Sequence, residues 1–324
     1  MKVVAILGGL GSQMMKFSFF VAVREKCKED KCLIDTTPFL TMDIWNGYEL
    51  ERIFNIHERD LAEQYNQDDI NKMKRRFYRD IALDKIHEIR PEADLFYINR
   101  GKLVRYKEDR TFVFKVKRKV EEFVNKFWYR ALLNNDRHVD TYRSDYLTIE
   151  GDTYFDEFNH TSDRYFCDVK NVLIDIFTFP KFEDERNRII SQRMKLENSV
   201  AIHIRRSDHM YDNANLYKNN YYKKSISKIR KSVENPVFYL FSDDLSWCRT
   251  HEDEIGFNDD DKIEFIDWNI GSESYRDMQL MTFCKHNIIA ISSFSWWGYY
   301  LSNNTEGKIA IAPQGYWFDV KIHF

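Results

Sequence analysis

From Ser199 to Pro313 strand and helix patterns alternate without a break, and few folds accept that order. Ser199–Ile204 (SVAIHI) is a short apolar run followed by a helical pattern over 221–233. A strand at 237–241 leads through Ser242, Asp243 and Asp244 into a helix over 245–254. The next strand, 263–268, passes through Gly271 into a helix over 273–284. A strand at 287–291 ends in Ser292, Ser293, Phe294 and Ser295, where a helix carrying Trp296, Trp297 and Leu301 begins. Residues 308–312 form a last strand, stopped by Pro313. Short apolar strands separated by helices make a parallel sheet with right-handed crossovers.

The polar exceptions fall at the strand ends. His203, Arg205, Arg206, Ser207 and Asp208 close the first strand, and adjacent arginines there are costly to desolvate without an anionic partner. A guanidinium fork fits a phosphate bidentately, at the carboxyl edge of a parallel sheet where ligands bind. The competing reading is a structural ion pair of Asp208 with Arg206. Asp208 is also the candidate general base for an acceptor hydroxyl. Asp243 suits a ribose or a guanine edge, because a carboxylate accepts two hydrogen bonds in one plane. Ser292 to Ser295 open a helix and read as an anion cradle of backbone N–H groups. Asp277 either caps its helix or reaches the nucleotide. Together these predict a bound nucleoside diphosphate, with neither a Walker loop nor a clustered-carboxylate metal site.

The first half opens with a strand at 3–7, the glycines Gly8, Gly9 and Gly11, and a helix over 14–26. The turn is similar to a dinucleotide fingerprint, but Gln13 and Met14 stand where the last glycine belongs. Either it approaches a ligand or it serves packing alone. A second strand at 32–35 ends in Asp35. The pattern over 43–137 is mostly helical, with an amphipathic helix at 70–88, a strand at 112–116 and a helix at 120–133. Residues 141–160 read as loop and short strand, and 165–177 as a helical packing stripe. Thr178 to Asp184 is the expected crossing, dividing the chain into an acceptor-side domain (1–180) and a nucleotide-sugar domain (181–324).

At 324 residues and net charge −3, the chain has no bulk affinity for nucleic acid. Five scattered cysteines lack zinc-ligand spacing and point to a reducing compartment. The first strand begins at once, leaving no room for a signal peptide, and no apolar run approaches the about 20 residues of a membrane span. A cytoplasmic protein is the expectation. The basic runs 72–76 and 115–119 are solvated faces or a peripheral contact with an anionic membrane.

Four stretches resemble the bacterial α1,2-fucosyltransferases: GGLGSQM at the amino end, HIRRSD in the centre, FSDDLSWC after it, and DMQLMTFCKHNIIAISSFSWWGYYL near the end. They run in family order over nearly the whole chain. Ser12, Ser207, His209 and Ile291 depart from the residues common in the family. The resemblance implies an α/β, GT-B-like fold of two facing Rossmann-like domains with a cleft between them. It implies inverting transfer of L-fucose from GDP-β-L-fucose to O2 of a terminal galactose, without a divalent metal, on an oligosaccharide or lipid-linked acceptor of surface polysaccharide assembly. It further implies that Arg205 and Arg206 face the diphosphate with His203 nearby. By the same resemblance Asp243, Asp277, Ser293, Phe294 and Ser295 line the GDP site, and the turn with Gly9 and Gly11 lines the cleft. Two alternatives stay open, a GDP-fucose transferase of another linkage and a non-catalytic nucleotide- or glycan-binding relative. A nicotinamide oxidoreductase is more distant.

Overall fold

The structure, a computed structural model, describes residues 1–27, 31–41, 45–73, 76, 78–99, 102–106, 142–156, 162–206, 216–217, 219–302 and 306–313. It divides into two compact units. The first holds Met1–Gly9, Gln13–Tyr48 and Ile56–Lys170. The second holds Leu10–Ser12, Glu49–Asn55 and the chain from Asn171 onward. The passage between units therefore follows Lys170, ahead of Thr178 to Asp184, and two short amino-terminal segments join the second unit.

The first unit contains a five-stranded sheet in the order β2-β1-β5-β3-β4. Its strands are β1 (Lys2–Ala5), β2 (Cys32–Asp35), β3 (Leu95–Asn99), β4 (Lys102–Arg105) and β5 (Asp152–Phe155). All neighbours are parallel except β3 and β4, an antiparallel pair. The short strand expected within 141–160 is thus β5, at the centre of the sheet. One core packs Met1, Val3, Ala5, Leu95 and Tyr154 against Ala82, Leu83 and Ile86 of the helix Tyr78–Ile89. The pattern read as one helix over 70–88 is two, Gln67–Met73 and Tyr78–Ile89. Between them the described residue Arg76 is outside both helices and pairs with Asp84 at 2.7 Å. The expected strand at 112–116 and helix at 120–133 lie outside the described residues.

The second unit contains a sheet in the order β10-β9-β6-β7-β8, parallel throughout. Its strands are β6 (Ser199–Ile204), β7 (Val237–Ser242), β8 (Lys262–Phe265), β9 (His286–Ile288) and β10 (Ala310–Ile311). The first strand is central, the next two extend to one side and the last two to the other. That is the doubly wound order, with its switch point between β6 and β9. Every residue of β6 is buried, because helices cover both faces. Val200, Ile202 and Ile204 point into a core with Tyr222, Ile226 and Ile229 of the helix Tyr221–Ser232. Ala201, with Tyr239 and Phe241 of β7, points the other way, toward Ile190 and Met194 of the helix Glu185–Leu196. Alternation along the strand thus builds two cores from one apolar run. Among the described residues no helix is long and apolar enough to cross a membrane.

Candidate functional site

β6 delivers Arg205 and Arg206 at its carboxyl end, and the register that pairs Ile204 with Ser242 brings the end of β7 alongside. The arginine side chains are only 25% and 19% exposed, so each needs a partner. Asp243 supplies the first. Its Oδ2 lies 3.4 Å from Arg205 Nε, and its Oδ1 accepts the Arg206 backbone N–H at 2.8 Å. Asp244 supplies the second, with Oδ2 3.2 Å from Arg206 Nε. The other Asp244 oxygen accepts from Trp247 N at 3.1 Å and caps the helix Leu245–Thr250. Trp247 returns the contact, its ring centre lying 3.6 Å from the Arg206 guanidinium carbon. Its ring in turn stacks on His251 at 4.5 Å.

Among the described residues the ion-pair partner of Arg206 is Asp244; the pairing with Asp208 read from the sequence falls, with Ser207, outside the described residues. Asp243, read from the sequence as a ribose or base-edge contact, holds the Arg206 backbone and the Arg205 guanidinium. A carboxylate brought in by the neighbouring strand was free to reach across, which spacing along one strand does not reveal.

Across the switch point, Ser292 is extended and caps the helix Ser293–Tyr300, its hydroxyl accepting from Phe294 N at 3.2 Å. Ser295 Oγ donates back to Ser292 O at 3.3 Å. Gly11 lies against the same turn. A Cβ there would stand 2.6 Å from Phe294 N and 2.7 Å from Ser293 Oγ, so only glycine fits. Trp297 Nε1 donates to Gly11 O at 3.0 Å. The Phe294 amide, which a backbone anion cradle would use, is therefore already occupied. The positive end of the helix remains. Gly9, in the first unit, is covered by the Trp45 ring, 3.5 Å from where its Cβ would be.

His203 is buried one strand away from this turn, its ring centre 5.8 Å from that of Phe294. Burial, with the Arg205 charge adding to it, lowers its pKa to about 3 and keeps the ring neutral. Its Nδ1 has no protein partner among the described residues. Asp277 lies in the first turn of the helix Tyr275–Met281 and accepts from Asn269 Nδ2 at 2.8 Å. Desolvation pushes its carboxyl up to about 7, against that hydrogen bond. Asn269 is itself fixed by Asn187, which also accepts from Trp268 Nε1. Among the described residues, no three His, Cys, Asp or Glu side chains gather as metal ligands would.

The structure thus brings His203, Arg205, Arg206 and Asp243 to one strand end, with Ser292 to Ser295 across the switch point. Sequence reasoning missed Trp247 and Asp244 as the clamp on Arg206, although their Asp-x-x-Trp spacing at a helix start was the available signal. Two guanidinium groups, each oriented by its own carboxylate, thus stand at the carboxyl edge of a parallel sheet, where an anionic ligand could be met bidentately.

Known proteins share this arrangement of sequence. Residues 98–317 match Glycosyl transferase family 11. An Escherichia coli alpha-1,2-colitosyltransferase is 39% identical over 164 residues, 49% of this chain and 54% of that protein. The match thus spans about half the length of that relative. The O-antigen biosynthesis glycosyltransferase WbnK of Escherichia coli is 26% identical over 318 residues, 96% of this chain and 93% of that one. Galactoside alpha-(1,2)-fucosyltransferase 2 of Rattus norvegicus is 30% identical over 108 residues, 32% and 29% of the two chains. Among solved structures, the fucosyltransferase NodZ from Bradyrhizobium covers 92% of this chain and 91% of its own at 11% identity, with a TM-score of 0.43. The matched span includes the strand-end arginines, their paired aspartates and the serine-started helix, and the chain belongs to glycosyl transferase family 11.

Proposed function

We propose that the chain is an inverting fucosyltransferase that moves L-fucose from GDP-β-L-fucose to O2 of a terminal galactose. The acceptor is an oligosaccharide of surface polysaccharide or O-antigen assembly, carried on lipid and met by a cytoplasmic enzyme at the membrane surface. One observation carries the reading: Arg205 and Arg206 are fixed by Asp243 and Asp244 at the switch point of the second sheet. As the glycosidic bond breaks, negative charge gathers on the leaving GDP and the sugar becomes oxocarbenium-like. Guanidinium groups already in place stabilise that charge without reorganising, and second-side carboxylates keep them there. In this reading Asp208 takes the proton of the acceptor hydroxyl. The Asp208→Asn enzyme should lose the acidic limb of its pH–rate profile; an unchanged profile assigns the proton elsewhere.

A second donor is favoured by the 39% identity to a colitosyltransferase. Colitose is fucose without its 3-hydroxyl, so a donor site for one is nearly a site for the other. The test supplies GDP-fucose and GDP-colitose separately to the purified enzyme with galactose-terminated acceptors, with and without EDTA. GDP release and an α1,2 linkage by NMR are expected from GDP-fucose, unaltered by EDTA. Turnover with GDP-colitose alone selects the second donor. GDP binding without transfer from either makes the chain a non-catalytic relative.

A further inference from the structure

Trp45 has a backbone φ of 51°, in the left-handed region that a bulky side chain rarely enters. Its indole is half-exposed, at 51%. Single exposed apolar residues are ordinary, and Leu196 and Ile270 are more exposed still. Trp45 differs in being held. Buried Gln13 donates through Nε2 to Gly8 O at 2.9 Å and to Gly47 O at 2.8 Å, tying the turn that carries Trp45 to the glycine turn after β1. The indole lies on Gly9, its Cδ1 3.5 Å from where a Cβ would be. Tyr48, at the end of the same turn, packs its ring 6.0 Å from that of Phe39, in the short helix Pro38–Thr41 that follows β2. The ring is therefore displayed at the carboxyl ends of β1 and β2, the edge of a parallel sheet where ligands bind. Strain concentrates where function needs a fixed geometry, and this strain is maintained by two hydrogen bonds from one buried side chain.

We propose that Trp45 is the platform on which the acceptor's terminal sugar stacks, its indole covering the apolar C–H face of a galactoside. The proposal rests on reading the chain as a fucosyltransferase and adds a recognition element on the first unit. A phosphate would need cations. Among the described residues that hold the indole and its turn, Gly9, Gln13, Gly47 and Tyr48 carry no charge, so a neutral ligand fits this place. An aromatic face offers a sugar what a hydroxyl-lined wall cannot, a dry surface matched to its ring hydrogens.

The test compares wild type with Trp45→Ala and Trp45→Phe, using GDP-fucose and N-acetyllactosamine. Trp45→Ala should raise the acceptor KM about tenfold, the size of one lost aromatic contact. Donor KM and acceptor-independent hydrolysis of GDP-fucose should stay at wild-type values, and Trp45→Phe should restore most of the acceptor affinity. An unchanged acceptor KM overturns the proposal. So does a raised donor KM with lost hydrolysis, which would place the ring on the donor. Melting followed by circular dichroism checks that each variant folds. If wild type transfers fucose to no galactoside, the fucosyltransferase reading itself falls. Donor-free titration with N-acetyllactosamine then still decides the stacking: wild-type tryptophan emission should change and Trp45→Phe emission should not, whereas equal responses overturn it.

Discussion

At the scale of single residues, the paired arginines have different settings and should fail differently. Arg205 is the diphosphate anchor in the proposed reaction, and Arg205→Ala should reduce turnover about 10²–10³-fold, as for one lost oxyanion donor. Arg206 lies between a carboxylate and an indole at 3.6 Å. Removing that ring by Trp247→Ala gives up about 0.5–2 kcal/mol of cation–π attraction and should weaken GDP binding about 3- to 30-fold in calorimetry. Asp277 gives a pH signature. Its folded pKa of about 7 lies above the ordinary carboxyl value of 3.8, so folding favours the protonated form. Its contribution to stability is complete below pH 3.8 and disappears as pH rises through 7. Asp277→Asn keeps an acceptor for Asn269 and removes the titration. The variant should melt higher than wild type at pH 8, with the difference shrinking toward pH 5. An equal difference at both pH values would remove Asp277 as the group responsible. The arginines were legible because two charges ending an apolar strand demand an explanation. Their partners were not, because Asp243 and Asp244 arrive through the β6–β7 register.

Among the elements, legibility followed burial. The second sheet is covered on both faces, so its strands read as apolar runs and all five sequence readings fall within three residues of the observed ends. In the first unit, β3 and β4 form a hairpin whose outer strand is largely exposed, and β5 (DTYF) begins with polar residues in a polar surrounding. Neither shows the periodicity on which sequence reading depends. The glycine turn also reads differently in three dimensions. The helix Leu10–Cys27 begins inside it, and Gly11 belongs to that first turn. Gly11→Ala would drive a methyl group into backbone at 2.6 Å, and the strain should lower stability by about 1–3 kcal/mol in thermal unfolding. Gly9→Ala meets only the Trp45 ring at an ordinary 3.5 Å and should unfold like wild type. Equal losses at the two positions would contradict the close approach.

For the whole molecule, two α/β sheets were anticipated from the sequence and both are present, while the first unit also draws strands from regions read as helix or loop. GDP should act on the second unit as a ligand that binds only the folded form, adding about 2.7 kcal/mol at a hundredfold excess over its Kd. Hydrogen exchange should slow around 199–206, 242–247 and 292–297, with the strands β1 to β5 unchanged, and added salt should weaken the effect. Protection confined to β1 to β5 would move the nucleotide to the other sheet. Asp244 bears on how this protein can change. One of its oxygens starts a helix and the other steadies a guanidinium, so in the proposed reaction selection acting on heat tolerance and selection acting on donor affinity meet at the same carboxylate. An engineer who screens position 244 for a sturdier helix will be altering the setting of Arg206 in the same step. The two traits can be improved separately only by first giving Arg206 a different counter-charge.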